Sequence, residues 1–145
     1  MIKNMKPIIK DVKVPGPIFA TAITSDPVVL TNYQGVTFLV ESGEGTAGST
    51  TLTVQAKLGE DGTPVAVPFL FTQKGDITFT EVEATGKVIN IGGTAGASKY
   101  FLVRVSDAML ASSDCDRVML KTTAVASSTV PGAIYALLDS PRYTE

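Results

Sequence analysis

Thr50-Thr51-Leu52-Thr53-Val54-Gln55-Ala56-Lys57-Leu58, running into Gly59-Glu60-Asp61-Gly62, alternates strictly between apolar and polar residues from Thr51 to Leu58. Leu52, Val54, Ala56 and Leu58 fall on one face and Thr51, Thr53, Gln55 and Lys57 on the other, the period of two that a half-buried strand requires. The Asp-Gly turn then sends the chain back. The spacing therefore predicts the central strand of an all-β domain.

On the N-terminal side of this strand, Ser42-Gly43-Glu44-Gly45-Thr46-Ala47-Gly48-Ser49 reads as a glycine-rich hairpin loop. A phosphate-cradling loop needs a Lys-Ser or Lys-Thr pair opening a helix, and here a strand follows instead. Before it, residues 36–41 form a strong strand with Val36, Phe38 and Val40 inward, and Leu39 on the opposite face implies that this face is covered too. Residues 18–24 read as a first strand and 28–30 as a brief pairing segment, separated by the Ser25-Asp26-Pro27 turn. On the C-terminal side, Pro64 and Pro68 remove ladder donors, which puts 65–72 on an edge or across a bend. Phe69 and Phe71 share a face there. Residues 76–80 and 87–91 read as two short strands, and 92–97 as a flexible connector.

Lys99-Tyr100-Phe101-Leu102-Val103-Arg104-Val105 is the second dominant strand, apolar on both faces apart from Arg104, as in the depth of a sandwich or at a subunit contact. An arginine in that setting calls for a carboxylate partner. Residues 107–116 hold one helical turn within a longer loop, and 117–125 and 132–138 make the last two strands. Short strands separated by turn signals predict an antiparallel β-sandwich or small β-barrel, jelly-roll-like. A chain of 145 residues suits one such domain over 18–145.

Residues 1–17 read differently. Lys3, Lys6, Lys10 and Lys13 stand against Asp11 alone, mixed with Ile8, Ile9, Val12 and Val14 and closed by Pro15-Gly16-Pro17. This composition predicts an extended N-terminal arm that docks on a partner, with a frayed terminus as the plain alternative. It also leaves 8 basic and 13 acidic groups for the rest of a chain whose net charge is -2. A basic arm precedes an acidic body, and no global field draws in nucleic acid or an anionic membrane.

The same arm interrupts any apolar signal core, and no apolar run is long enough to span a bilayer, so folding in a cytoplasm is expected. There is no histidine, which removes the commonest general base and metal ligand. Cys115 is the single cysteine, so a thiolate zinc site and an intrachain disulfide are both excluded. Glu81 with Glu83, and Asp114 with Asp116, are carboxylate pairs of the kind glycoside chemistry uses, but such alternation suits a solvated face or a turn better. Aromatic and basic residues are not interleaved on one predicted face in the way single-stranded nucleic acid requires. No enzyme, cofactor, metal or small-molecule substrate is expected.

The strand Val36-Thr37-Phe38-Leu39-Val40 before a glycine-rich turn, Leu52-Thr53-Val54-Gln55-Ala56 before an Asp-Gly turn, the 99–105 strand and a last strand closing in Ser140-Pro141-Arg142-Tyr143 form an ordered series. Over residues 28–145 it resembles the small virion proteins encoded beside the major capsid protein of tailed bacteriophages. The resemblance implies a capsid decoration, or cement, protein made in the host bacterial cytoplasm and carried on the outer surface of the virion. Its implied partners are the major capsid protein and itself, as a homotrimer. The longer 107–116 loop and the lysine-rich arm depart from the family pattern and leave the subgroup open.

On this reading Lys3, Lys6, Ile8, Ile9, Lys10, Val12, Lys13 and Val14 are the capsid-contact arm, and Tyr100, Leu102, Arg104, Tyr135, Leu137, Arg142 and Tyr143 are the intersubunit candidates. Arg142 is open to pairing with an acidic residue such as Asp139 across a trimer contact. Ordinary core packing is the alternative for each of the apolar ones. Two other classes stay in view: a head-tail joining or tail protein forming a ring, and a carbohydrate-binding β-sandwich for host attachment. The last wants exposed aromatic side chains, and the chain has no tryptophan.

Overall fold

The structure, a computed structural model, describes residues 8–94, 98–110 and 114–141. Residues 50–57 of the anticipated central strand lie within β5 (Gly45–Lys57), with Leu52, Val54 and Ala56 fully buried and Thr51, Thr53, Gln55 and Lys57 half-buried on the other side. Leu58 departs from the expected face. It lies beyond the strand, 60% exposed, because Gly59 turns the backbone away at φ +65°.

Around it are β1 (Ile8–Gly16), β2 (Ile23–Thr24), β3 (Val28–Val29), β4 (Tyr33–Ser42), β6 (Val65–Val67), β7 (Phe69–Gln73), β8 (Thr80–Val82), β9 (Lys87–Gly93), β10 (Lys99–Ser106), β11 (Arg117–Thr122) and β12 (Gly132–Pro141). A short 3-10 turn (Ile18–Ala20) and one helical turn, α1 (Asp107–Leu110), complete the described elements. Two antiparallel sheets result. Sheet A has the order β1-β12-β4-β10-β7-β8; sheet B has β2-β11-β5-β6, with β3 also pairing with β11 and β9 with β5. The two sheets pack against each other as a sandwich, and the barrel alternative falls because they do not close into one.

The inner faces supply the core. Val36, Phe38 and Val40 of β4, Val103 and Val105 of β10 and Ile134 and Ala136 of β12 meet Leu52, Val54 and Ala56 of β5 and Val118 and Leu120 of β11, all fully buried. Burying each of the larger side chains contributes roughly 1.5–3 kcal/mol. Phe19 is also fully buried. It belongs to the 3-10 turn, so the strand expected over 18–24 is reduced to Ile23–Thr24, and Ile18 and Phe19 enter the core from a connection instead.

At two connections the chain changes sheets, and at a third a turn delays the strand. The glycine-rich segment is no hairpin loop: β4 ends in sheet A at Ser42, and from Gly45 the chain already runs as β5 in sheet B, paired with β9. Pro68 stands between β6 of sheet B and β7 of sheet A, so its missing N–H falls where no ladder continues. The strand expected over 76–80 begins only at Thr80, because the Asp76 N–H donates to the Gln73 carbonyl at 3.0 Å in a turn.

β1 differs in what it touches. Residues 8–16 are extended, as the composition predicts, and they pair antiparallel with β12, from Ile8 opposite Leu138 to Gly16 opposite Gly132, with irregularities on either side of Lys13. They form an edge strand of the domain's own sheet. Residues 1–7 lie outside the described residues.

Candidate interaction surface

Because side chains alternate along a strand, each residue that sends its neighbours into the core turns its own side chain outward. On β10 the inward set is Phe101, Val103 and Val105, which leaves Tyr100, Leu102 and Arg104 on the outer face of sheet A. On β12, Ile134, Ala136 and Leu138 face in and Tyr135, Leu137 and Asp139 face out. The register joins the two strands through β4. Leu102 and Tyr135 both stand opposite Leu39, and Arg104 and Leu137 both stand opposite Thr37. β7 extends the row, with Leu70 opposite Arg104 and Thr72 opposite Leu102.

The fold thus brings five of the seven intersubunit candidates, Tyr100, Leu102, Arg104, Tyr135 and Leu137, onto one surface. Arg142 and Tyr143 lie outside the described residues. Of the arm residues, Lys3 and Lys6 lie outside the described residues, and Ile8, Ile9, Lys10, Val12, Lys13 and Val14 are positions of β1, which borders this surface beside β12. Leu39, whose own face the sequence predicts to be covered, sits between Leu102 and Tyr135. Leu70 was missed, although the shared inward face of Phe69 and Phe71 implies that it points the other way.

The row is apolar in its middle and neutralised at one end. Arg104 Nη1 donates to Asp139 Oδ2 at 2.5 Å and to Thr37 Oγ1 at 3.2 Å, and Nη2 reaches Asp139 Oδ1 at 3.4 Å. The carboxylate that the 99–105 strand called for is therefore Asp139, on the same chain. Gly35 lies beneath the bridge; a Cβ there would come within 3.2 Å of Arg104 Nη2 and 3.4 Å of Asp139 Oδ1. Its bare backbone leaves the pair room to close. Both side chains are about a third exposed.

The opposite side of the molecule has another character. The outer face of sheet B carries Thr51, Thr53, Gln55 and Lys57 on β5, with Arg117 and Lys121 on β11 in register with Lys57 and Thr53. Hydroxyl, amide and cationic groups line β5 there, while Met119 opposite Gln55, Val29 opposite Arg117 and Val88 opposite Thr51 add apolar area to the same face. Sheet A is set apart by the half-buried leucines of its outer face, Leu39, Leu70, Leu102 and Leu137.

At the end of sheet A where β4 finishes and β10 and β12 begin, a cleft of about 470 Å³ is lined by Tyr100 and Tyr135, with Glu41, Lys74 and Lys99 around it. A second, of about 440 Å³, adjoins it through Lys74, Lys99 and Tyr100 and continues along Lys87 to Asn90 of β9. The carboxylate pairs noted in the sequence lie elsewhere. Glu81 and Glu83 are exposed. Asp116 accepts the Gly59 N–H at 2.9 Å and lies 3.8 Å from Arg117 Nε, which gives it a part in fixing the turn after β5.

No family model and no curated protein matches the chain. Among solved structures it is similar to the crystal structure of the SPBc2 prophage-derived protein YomS, with a TM-score of 0.55 and 13% identity, over 96% of this chain and 99% of that one. The likeness covers both sheets and is one of fold.

Proposed function

We propose that the protein is a non-enzymatic virion structural protein that decorates the outer surface of a phage capsid as a homotrimer and stabilises it by bridging major capsid subunits. The observation that carries this reading is the outer face of sheet A. Leu102, Leu39 and Tyr135 stand side by side across β10, β4 and β12; in the next row Leu70 and Leu137 flank Arg104 and Thr37, and the Arg104–Asp139 ion pair is closed within the chain. A copy of the chain set against the Leu102–Leu39–Tyr135 row finds Arg104 already paired and removes apolar area from water, as a stable contact of about 800 Å² per partner requires. The fold shared with a prophage-derived protein supports the phage setting. Stabilisation needs no chemistry: whatever binds the assembled shell and not its separated subunits shifts the equilibrium towards the shell.

Light scattering over a range of protein concentrations, followed by co-sedimentation with empty capsids, tests both halves. A trimer that saturates shells is the expected result. A six-membered or larger ring that ignores shells would place the protein at the head-tail junction or in the tail, and a monomer that fails to sediment with capsids would sink the proposal.

A further inference from the structure

The cleft beside β9 has chemistry that self-association through sheet A does not use. β9 pairs with β5 along one edge, and no described strand lies along the other. Consecutive residues from Lys87 to Asn90 line the cleft, so the free edge of the strand runs along it. Val88 is 62% exposed and Tyr100 40% exposed. An exposed strand edge with apolar side chains beside it is a template for another strand.

Three cations surround this edge. Lys99 Nζ donates to the Asn90 carbonyl at 3.3 Å, Lys74 Nζ donates to the Ser98 carbonyl at 3.1 Å, and Lys87 Nζ sits 5.5 Å from the centre of the Phe71 ring. None forms an ion pair with a carboxylate among the described residues, and no acidic residue lines this cleft. Each ammonium group carries three donors. The contacts shown leave most of them for a partner, and they are concentrated on a body whose overall charge is acidic.

We infer that the free edge of β9, with Lys74, Lys87 and Lys99, is a docking site for an extended acidic segment of a partner protein. The segment adds to sheet B as a further strand. Main-chain hydrogen bonds to β9 supply part of the affinity, alternate carboxylates meet the three ammonium groups, and the side chains between them lie against Val88. The charge complementarity selects an acidic segment over a basic one, and the strand edge selects a peptide over a phosphate ester, which offers no ladder of donors and acceptors. This site goes beyond the proposed capsid role and does not depend on it.

The test uses the full chain and a fluorescein-labelled peptide of alternating valine and glutamate, read by anisotropy. Saturable binding is expected, weakened by about tenfold or more in Lys87→Gln/Lys99→Gln and by raised salt. The same peptide with glutamine for glutamate should not bind. Amide exchange at residues 88–90 should slow when the acidic peptide is present. Lys74→Gln, at an exposed position, serves as the second variant should the double variant fold poorly, and it should weaken binding in the same direction. Equal binding of the glutamine peptide, unchanged binding by the variants, unchanged exchange along β9, or stronger competition by an oligothymidylate than by the unlabelled acidic peptide would each overturn the inference. The oligomer mass and capsid sedimentation are read separately, so failure here leaves the capsid proposal standing.

Discussion

Gly132 opens β12 where three segments converge: it stands opposite Gly16 of β1 and Ser42 of β4. A Cβ at this position would lie 2.6 Å from the Glu41 carbonyl oxygen and would press into the ring of the fully buried Phe19. Neither can yield cheaply, since one is ladder backbone and the other is packed core. Gly132→Ala should therefore cost about 1–3 kcal/mol, read as a lower urea midpoint at unchanged slope. An unchanged midpoint would mean that Phe19 is free to move. At the other end of the same strand the Arg104–Asp139 bridge is about a third exposed on each side. Asp139→Asn keeps a hydrogen-bond acceptor and loses the charge, so it should lower stability by no more than about 1 kcal/mol, with a smaller effect in high salt. That Arg104 needs a carboxylate is legible in the sequence; which carboxylate is not. Asp139 lies 35 positions away and two strands over, and it reaches Arg104 only because Gly35 leaves the intervening strand bare.

Among the elements, β5 is legible because a strand buried on one face declares it every second residue over 50–58, and β10 because 100–105 is an apolar run broken only by Arg104. The assignment of strands to sheets was not readable. Neighbouring strands most often pair, so a glycine-rich segment between two of them reads as a hairpin. Yet β4 and β5 face each other across the core. Nothing local records that the chain has changed layers, apart from Pro68 at the corresponding crossing. β1 shows the same limit. Its lysines and closing Pro15-Gly16-Pro17 mark it as extended and separate from the core pattern, while its pairing depends on β12, more than a hundred residues later. Two truncations separate its roles. Removing residues 1–7 leaves β1 in place and should leave the urea midpoint unchanged. Removing residues 1–16 turns β12 into an edge strand, and it should lower the midpoint and raise self-association through that edge. If both truncations keep the full midpoint, β1 contributes no stability to the sheet, and any effect on shell binding then belongs to the segment as a contact arm.

The whole molecule is a sandwich with two unlike outsides, and that difference is where the functional argument lives. The absence of histidine shapes what is expected of the chain, but an average over 145 residues cannot say which face is wet. The register says so. It gathers Tyr100, Leu102, Tyr135 and Leu137 from strands that the sequence keeps more than thirty positions apart, and it leaves Thr51, Thr53 and Gln55 on the far side. Matched substitutions on the two faces exploit this. Leu102→Lys places a cation in the middle of the apolar row, where a second copy would have to bury it unpaired, so it should shift the solution mass towards monomer. Thr53→Lys makes a similar change on the hydroxyl-rich face and should leave the mass as it was. Circular dichroism of both variants checks that the sandwich is intact. Loss of the oligomer in Thr53→Lys with its retention in Leu102→Lys would place the self-contact on sheet B. The apolar row of sheet A would then be covered by something other than this chain, and on the capsid reading that cover is the shell itself.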